Sequence, residues 1–559
     1  MLYLTKIKRN RGLLILGGSL IVVFVSLRTQ INFPITLNEA KEGYTAYSLI
    51  KTGRDTNNEF LPLLFRGDND YLSTLAVYFR IPSVFLFDLS ELGVRLPGLI
   101  LGILTMGIFY LIVKEILKDK LKIYISLFLL AMSPIFITTN IFELGKTNSL
   151  LFSLLTFYLL TIKDRVNLFI ITSILAVFSS FSALPFIISL ILLKYYKAVV
   201  KNRFIITGVI FVILLGFIFS KNDFSYFLKR ESFVQSILPS SYTHIIDKRL
   251  SFGLSYDSPL ITKGFNFNRI AHNKLYYAAN EVFRWMASLF DYEKYLFPFQ
   301  AQTVLGKVVT SPRYLPKFFF WEIPVVLAGM LILKMPMLKK KRSTHLSILL
   351  TSGLSSALIF KDSLIYLLPI IIISETVFFA YLIVNITKRW YWLVAGAVLL
   401  FVFSIASFVD LFWFHYDIWF DEQGLRQYQI WSTIEDKDLK ENKVIITDRL
   451  GEPVYYYLFY EKVDPEFFSN HKIEGVITDE GTRRIEKVGD VEFRSFKYFE
   501  SPRGANEVWV GMAGEFVGEN KDFDKSSGII DGEVIKEIEG VKQENKFIGD
   551  KLWFVRTNL

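Results

Sequence analysis

Apolar runs long enough to cross about 30 Å of hydrocarbon as helix recur along most of this chain. They fall near residues 12 to 28, 92 to 114, 121 to 139, 147 to 163, 203 to 220, 317 to 335, 345 to 360, 363 to 386 and 390 to 414. The stretch from 165 to 194 is apolar throughout, but Ser179, Ser180, Ser182 and Pro185 interrupt it, which predicts two helices turning at the outer surface. The expected architecture is a mainly α, polytopic membrane helix bundle of about eleven spans.

Charge orients the bundle. Lys6, Lys8, Arg9 and Arg11 precede the first run, and Lys114, Lys118, Lys120, Lys122, Lys163 and Arg165 fall in the next two loops assigned to the inside. Lys194, Lys197, Lys201, Arg203, Lys339, Lys340, Lys341, Arg342, Lys388 and Arg389 continue the pattern. The short loops assigned outside carry Lys146 and Lys361, so lysine and arginine bias predicts a cytoplasmic N-terminus and an outer C-terminus in the plasma membrane. The first run reads as an uncleaved helix rather than a signal peptide, because no convincing small-residue cleavage site follows it.

Composition supports this solvent: 52% of residues are apolar and 16% aromatic. The formal charge of +10 sits at the ends of apolar runs, and no basic motif of a nucleic-acid reader occurs, which argues against nucleic acid as a partner. Cysteine is absent, which excludes disulfides and thiolate metal sites.

Three hydrophilic regions lie on the outer side and are where function is expected: residues 29–91, 221–316 and the tail from 415. The domains are therefore a membrane domain, 1–414, and an extracytoplasmic α/β domain, 415–559. In the first region residues 37 to 51 read as a short helix, and 71 to 87 as an interface-lying helix broken at Pro82. The tail switches to strands and turns at 443 to 447 and 492 to 496, and ends in a β-rich piece from Val508.

Glu39 and Glu42 are three apart, so a helix puts both carboxylates on one face at the membrane surface. A partly desolvated carboxylate there can accept a proton from an acceptor hydroxyl; the plainer reading is a solvated helix face. Arg66, Arg80 and Arg95 can reach a lipid phosphate or snorkel to headgroups, and snorkelling is the better reading for Arg80. His244, His272, His345, His415 and His471 show no ligand spacing, while Glu39 with Glu143 offers hard oxygens suited to Mg²⁺ or Ca²⁺.

An ordered series of short motifs runs nearly the length of the chain. It begins with Asn38 to Tyr44, Thr52 to Asp55, Phe60 to Leu63, and Asp70 with Tyr71, then Val94 to Pro97, Ser133 with Pro134, and Phe142 with Glu143. His272 to Lys274, Tyr276 with Tyr277, Trp321 with Glu322, Val444 to Pro453 and Leu458 to Tyr460 complete it. In this order they resemble bacterial membrane glycosyltransferases of the GT-C class, in particular the protein-mannosyltransferase-like group that includes aminoarabinose transferases.

The resemblance implies inverting transfer of a sugar from a polyprenyl-phosphate donor to a glycan, lipid or protein acceptor at the outer face. It implies a carboxylate base in the first outer loop, which here falls to Glu39. Glu143 becomes a second acid orienting acceptor or metal. Arg66, Arg95 and Lys274 become phosphate contacts, with Asp70, Tyr71 and His272 in the substrate site. The tail from 415 would bind or present the acceptor. The chain departs from the pattern where it has Asn38 in place of the usual Asp, Leu72, Ser73 and Thr74 in place of Lys-Pro-Pro, and Thr139 in place of an Arg; an Arg expected around Asp362 to Tyr366 is also missing. An amide is no base near neutral pH. These departures frame the alternative, a catalytically degenerate relative that binds lipid-linked sugar or partners another transferase. A transporter is disfavoured, because the spans carry few facing ionisable residues.

Overall fold

The computed structural model describes residues 34–66, 71–195, 299–304, 307–312, 322–334, 340–359, 364–384, 424–434, 442–450, 452–466, 474–477, 483–498, 500–516, 532–538 and 552–557, with isolated positions between 396 and 408. The expected spans at 12 to 28 and 203 to 220 lie outside these residues, as does most of 390 to 414.

Helix α1, Leu37–Thr52, opens with a reciprocal capping box in which the Thr36 side chain accepts from the Glu39 amide and the Glu39 carboxylate accepts from the Thr36 amide. Helix α2, Thr74–Phe87, runs through Pro82 without the expected break. The exposed Pro82 ring faces away from the packing surface. On either side of it Arg80 Nε donates to the Val94 carbonyl at 3.1 Å and Ser83 Oγ to the Gly93 carbonyl at 2.5 Å, so tertiary bonds hold the helix where proline weakens it.

Helix α3, Glu91–Leu117, is 27 residues long and capped by Ser90, whose hydroxyl accepts from the Gly93 amide. It is followed by α4, Lys120–Met132, and α5, Pro134–Phe142, which meet at a 53° bend where Pro134 cannot continue the hydrogen-bond ladder. Helix α6, Leu144–Phe157, passes through a π turn at Tyr158–Ile162 to α7, Val166–Ser179. A single 3₁₀ turn at Phe181–Ala183 leads to α8, Leu184–Tyr195, so the interrupted apolar stretch does form two helices turning at the serine cluster. A hairpin of β3 and β4 at Phe299–Val304 and Lys307–Pro312 precedes α9, Glu322–Lys334, α10, Lys340–Ile359, and α11, Leu368–Val384.

Among the described residues two helical stretches are long and apolar enough to cross a membrane, Glu91–Leu117 and Leu364–Leu382, and the bent α4–α5 pair makes a third. Together with α6 and α8 they form one apolar core around Phe109, Ile112, Leu150, Phe157, Phe186 and Ile373. At the end of this core that meets α1 and α2, hydroxyls replace methyls. Ser149 meets the Tyr366 hydroxyl at 2.5 Å, Ser182 lies 3.2 Å from the same oxygen, and Ser73 donates to the Ser179 carbonyl at 2.8 Å. Gly98 lets α3 approach α5 closely, because a Cβ there would press into the Asn140 carbonyl.

The C-terminal domain carries α12, Leu425–Ile434, α13, Pro453–Tyr460, the short α14, Ala513–Phe516, and a seven-stranded sheet of order β10-β11-β9-β5-β8-β7-β6. Its centre is β5, Lys443–Ile446, which runs parallel to both neighbours, β8, Val491–Phe493, and β9, Glu507–Met512. The outer strands β6, Glu474–Ile477, β7, Arg483–Val488, β10, Gly532–Ile538, and β11, Leu552–Thr557, all pair antiparallel. Side chains alternate cleanly: Val444, Ile446, Val508 and Val510 face α12, α13 and α1, whereas Ile445 and Trp509 face α14, Phe496 and Tyr498.

Candidate functional site

Three ion pairs fix α1, and each reaches a different part of the molecule. Glu39 is fully buried in a fork with Arg95 of α3: Arg95 Nε lies 2.7 Å from Oε1 and Nη2 3.2 Å from Oε2. Oε2 also accepts from the Thr36 amide at 2.9 Å and the Thr36 hydroxyl at 3.0 Å, and Arg95 Nη2 donates to the Pro34 carbonyl at 2.8 Å. Glu42 pairs with Arg80 of α2. Lys41, whose side chain is 0% exposed, pairs with Glu452 of the C-terminal domain at 2.5 Å, and its ammonium stands 5.1 Å from the Tyr455 ring centre.

Arg80 is thus a correction to the sequence reading. It is buried against α1 rather than snorkelling to headgroups, because α2 packs on α1 and brings it to Glu42. Burial pulls its pKa down to about 10, partly opposed by the charge of Glu39, so it stays cationic at neutral pH. Removing charges like these from water costs several kcal/mol each, and the pairing has to repay that cost.

The C-terminal domain is seated on this frame. The Tyr44 hydroxyl donates to the Val463 carbonyl at 2.8 Å, the Ile35 amide donates to the Tyr460 hydroxyl at 3.4 Å, and Gly424 approaches the Ile35 carbonyl. Lys462 pairs with Asp88 at 2.5 Å, and that partner draws the Asp88 carboxyl below its usual range. Burial also pushes the Tyr44, Tyr456 and Tyr460 phenols upward, so they remain neutral.

The residues singled out by sequence divide sharply. Asn38 is exposed on the first turn of α1. Glu143 stands at the α5–α6 junction, its side chain 40% exposed and 2.6 Å from Lys146. Arg66 and Tyr71 are register partners in the two-stranded ribbon of β1, Phe65–Arg66, and β2, Tyr71–Leu72. Asp70, His272 and Lys274 lie outside the described residues. Glu39 and Arg95, expected as base and phosphate contact, are brought together and bind one another.

Metal chemistry at Glu39 does not fit the residues present. Both of its oxygens are occupied, and the Arg95 guanidinium stands where a cation would bind. Among the described residues no group of three or more His, Asp or Glu side chains converges in a way that could hold a metal ion.

Sequence reasoning missed Lys41, Glu452 and Tyr460 as parts of this frame. A lysine between two glutamates on a surface helix reads as solvated, and nothing local marks a partner near the other end of the chain. Asp55, in contrast, is placed by its own loop: it accepts from the Asn57 amide at 2.9 Å and the Glu59 amide at 2.8 Å, while burial raises its pKa against those bonds.

No protein-family model matches the chain, and no curated protein sequence does. Among solved structures it is similar to ArnT from Cupriavidus metallidurans bound to undecaprenyl phosphate, at 11% identity and a TM-score of 0.42 over 98% of each chain. It is similar to ArnT from the same organism in the apo state at 12% identity and a TM-score of 0.38, covering 83% of this chain and 78% of that one. It is also similar to the archaeal oligosaccharyltransferase AglB from Archaeoglobus fulgidus in complex with an inhibitory peptide and a dolichol-phosphate, at 12% identity and a TM-score of 0.41. That alignment covers 80% of this chain and 63% of AglB, so the chain spans less than two thirds of that relative's length.

Proposed function

We propose that this chain is a membrane glycosyltransferase of GT-C type that moves a sugar from a polyprenyl-phosphate donor to an acceptor at the extracytoplasmic face. The observation that carries the reading is the fixing of α1. Helix α3, helix α2 and the segment before α13 each supply one charged partner to a single four-residue stretch, Glu39 to Glu42. Such over-determination holds a loop geometry rigid at the junction of lipid and water, where a lipid-linked sugar presents its phosphate.

In this reading Glu39 and Arg95 are positioning residues that hold the first turn of α1 and the exposed Asn38. The base is Glu143. Its carboxylate takes the proton of the acceptor hydroxyl as the acceptor oxygen bonds to the anomeric carbon, and the bond from that carbon to the phosphate oxygen breaks with inversion. The polyprenyl phosphate leaves with the bonding electron pair, and Arg66 and Lys274 are the candidate cations for its charge. Asn38, an amide, orients the acceptor or donor by hydrogen bonding and holds no proton for the reaction.

A second reading is favoured by the same site: a relative that binds lipid-linked sugar without turnover. It rests on the amide at Asn38 together with the full engagement of Glu39. The test is transfer by purified full-length protein in liposomes carrying a polyprenyl-phosphate-linked labelled sugar. Glu143-dependent label in an acceptor is the expected result, and binding of the polyprenyl phosphate with no product from any donor overturns the catalytic reading in favour of the second.

A further inference from the structure

The carboxyl ends of the three parallel strands form a place of their own in the C-terminal domain. The chain leaves β5 for α13 on one face of the sheet and leaves β9 for α14 on the other, as the two separate side-chain layers record. Adjacent parallel strands whose following helices go to opposite faces leave a crevice beyond their carboxyl ends, the usual position of ligands in open α/β sheets.

Arg449 and Arg426 flank these strand ends, and Arg494 follows the third. Arg449 follows β5; its side chain is 59% exposed and its Nε lies 3.5 Å from Glu515. Arg494 follows β8, where its amide donates to the Ile446 carbonyl, but its guanidinium folds over the α14 face, 5.2 Å from the Trp509 ring centre and 3.5 Å from Glu492. Arg426, at the start of α12 on the opposite face, donates through Nη1 to the Met512 sulfur at 3.1 Å, where β9 ends. Adjacent strands are about 4.8 Å apart, so three strand ends span about 10 Å, the scale of one sugar with its charged substituent.

The carboxylates at the same edge are Asp448 and Glu515. Glu515 is buried, accepts from the Thr447 hydroxyl at 2.7 Å and the Met512 amide at 2.9 Å, and burial raises its pKa. With Arg494 paired to Glu492 and Arg449 only loosely to the buried Glu515, the cations at this edge are Arg426 and the exposed Arg449.

We infer that the crevice at the carboxyl ends of β8, β5 and β9 binds an anionic group, phosphate or carboxylate, on a sugar of the acceptor, with Arg449 as its principal contact. Only the identification of the ligand as acceptor rests on the transferase reading. Guanidinium groups match the geometry of such oxyanions with paired donors, and a lysine would offer a point charge in their place.

The test uses the full chain in nanodiscs without donor lipid, with glucose 6-phosphate, glucuronate and glucose as probes in ligand-observed NMR. The expected result is that at least one anionic sugar binds ten-fold or more tightly than glucose at low salt and weakens as salt rises; which one binds separates phosphate from carboxylate. Arg449→Ala should lose at least ten-fold of that affinity with unchanged thermal melting, and Arg449→Lys should keep part of it. Arg426→Gln serves as a second variant should Arg449→Ala melt early. Equal binding of all three probes, no binding of any, or wild-type affinity in both arginine variants overturns the inference. Binding without turnover in the liposome assay would leave this inference standing and sink the transferase reading alone.

Discussion

Arg95 grips Glu39 through two nitrogens, Nε at 2.7 Å from one carboxylate oxygen and Nη2 at 3.2 Å from the other, in a place where both side chains are buried. Removing one partner strands a buried charge, which costs about 3–5 kcal/mol. Arg95→Met should therefore lower the melting temperature of the detergent-solubilised protein strongly, and the double variant Glu39→Gln with Arg95→Met should recover part of the loss. Wild-type melting of Arg95→Met would show that the pair does not hold α1.

Glu452→Gln leaves the fully buried Lys41 without its carboxylate. The outer domain should then loosen from α1, seen as faster amide hydrogen exchange in 37–45 and 453–460. Lys462→Ala breaks the exposed pair with Asp88 and is the control, with an expected cost below about 1 kcal/mol. Equal exchange in both variants would contradict the difference in burial.

Gly424 has φ +148° and faces the Ile35 carbonyl, so Gly424→Ala adds a methyl group against backbone that has no rotamer to change. The expected effect is a loss of about 1–3 kcal/mol, confined to the docking of the C-terminal domain, measured as earlier release of that domain in limited proteolysis. Unaltered proteolysis would argue against the close approach.

Glu515 has a folded-state pKa raised by burial, against the pull of Thr447, the Met512 amide and Arg449. The folded domain then holds this proton more tightly than the unfolded chain, so its contribution to stability is present below the unfolded carboxyl pKa and falls as pH rises through the folded value. Glu515→Gln should flatten the decline in melting temperature between the ordinary glutamate range and neutral pH. An unchanged slope would place the relevant titration elsewhere.

Much of this fold is legible in the sequence because its signals are local. Apolar length marks α3 and the α11 segment, the serine and proline cluster marks the turn between α7 and α8, and α1 begins at Leu37 where the sequence places it. Pro82 misled because its penalty is offset by bonds to Val94 and Gly93, which no local pattern encodes. The site was harder for the same reason. The spacing of Glu39 and Glu42 showed a shared helix face, but it could not show that each glutamate meets its own buried arginine, or that Lys41 reaches a carboxylate in the last domain. An ionisable side chain displays its charge in sequence and hides its partner.

In the proposed reaction the buried pairs of α1 position the site and Glu143 performs the proton transfer. The most direct measurement is sugar transfer in donor-loaded liposomes by Glu143→Gln, with its melting temperature recorded in parallel. The account predicts a loss of turnover of at least a hundred-fold, on the order of general-base contributions, with wild-type melting and unimpaired binding of polyprenyl phosphate. Full turnover by Glu143→Gln would contradict it.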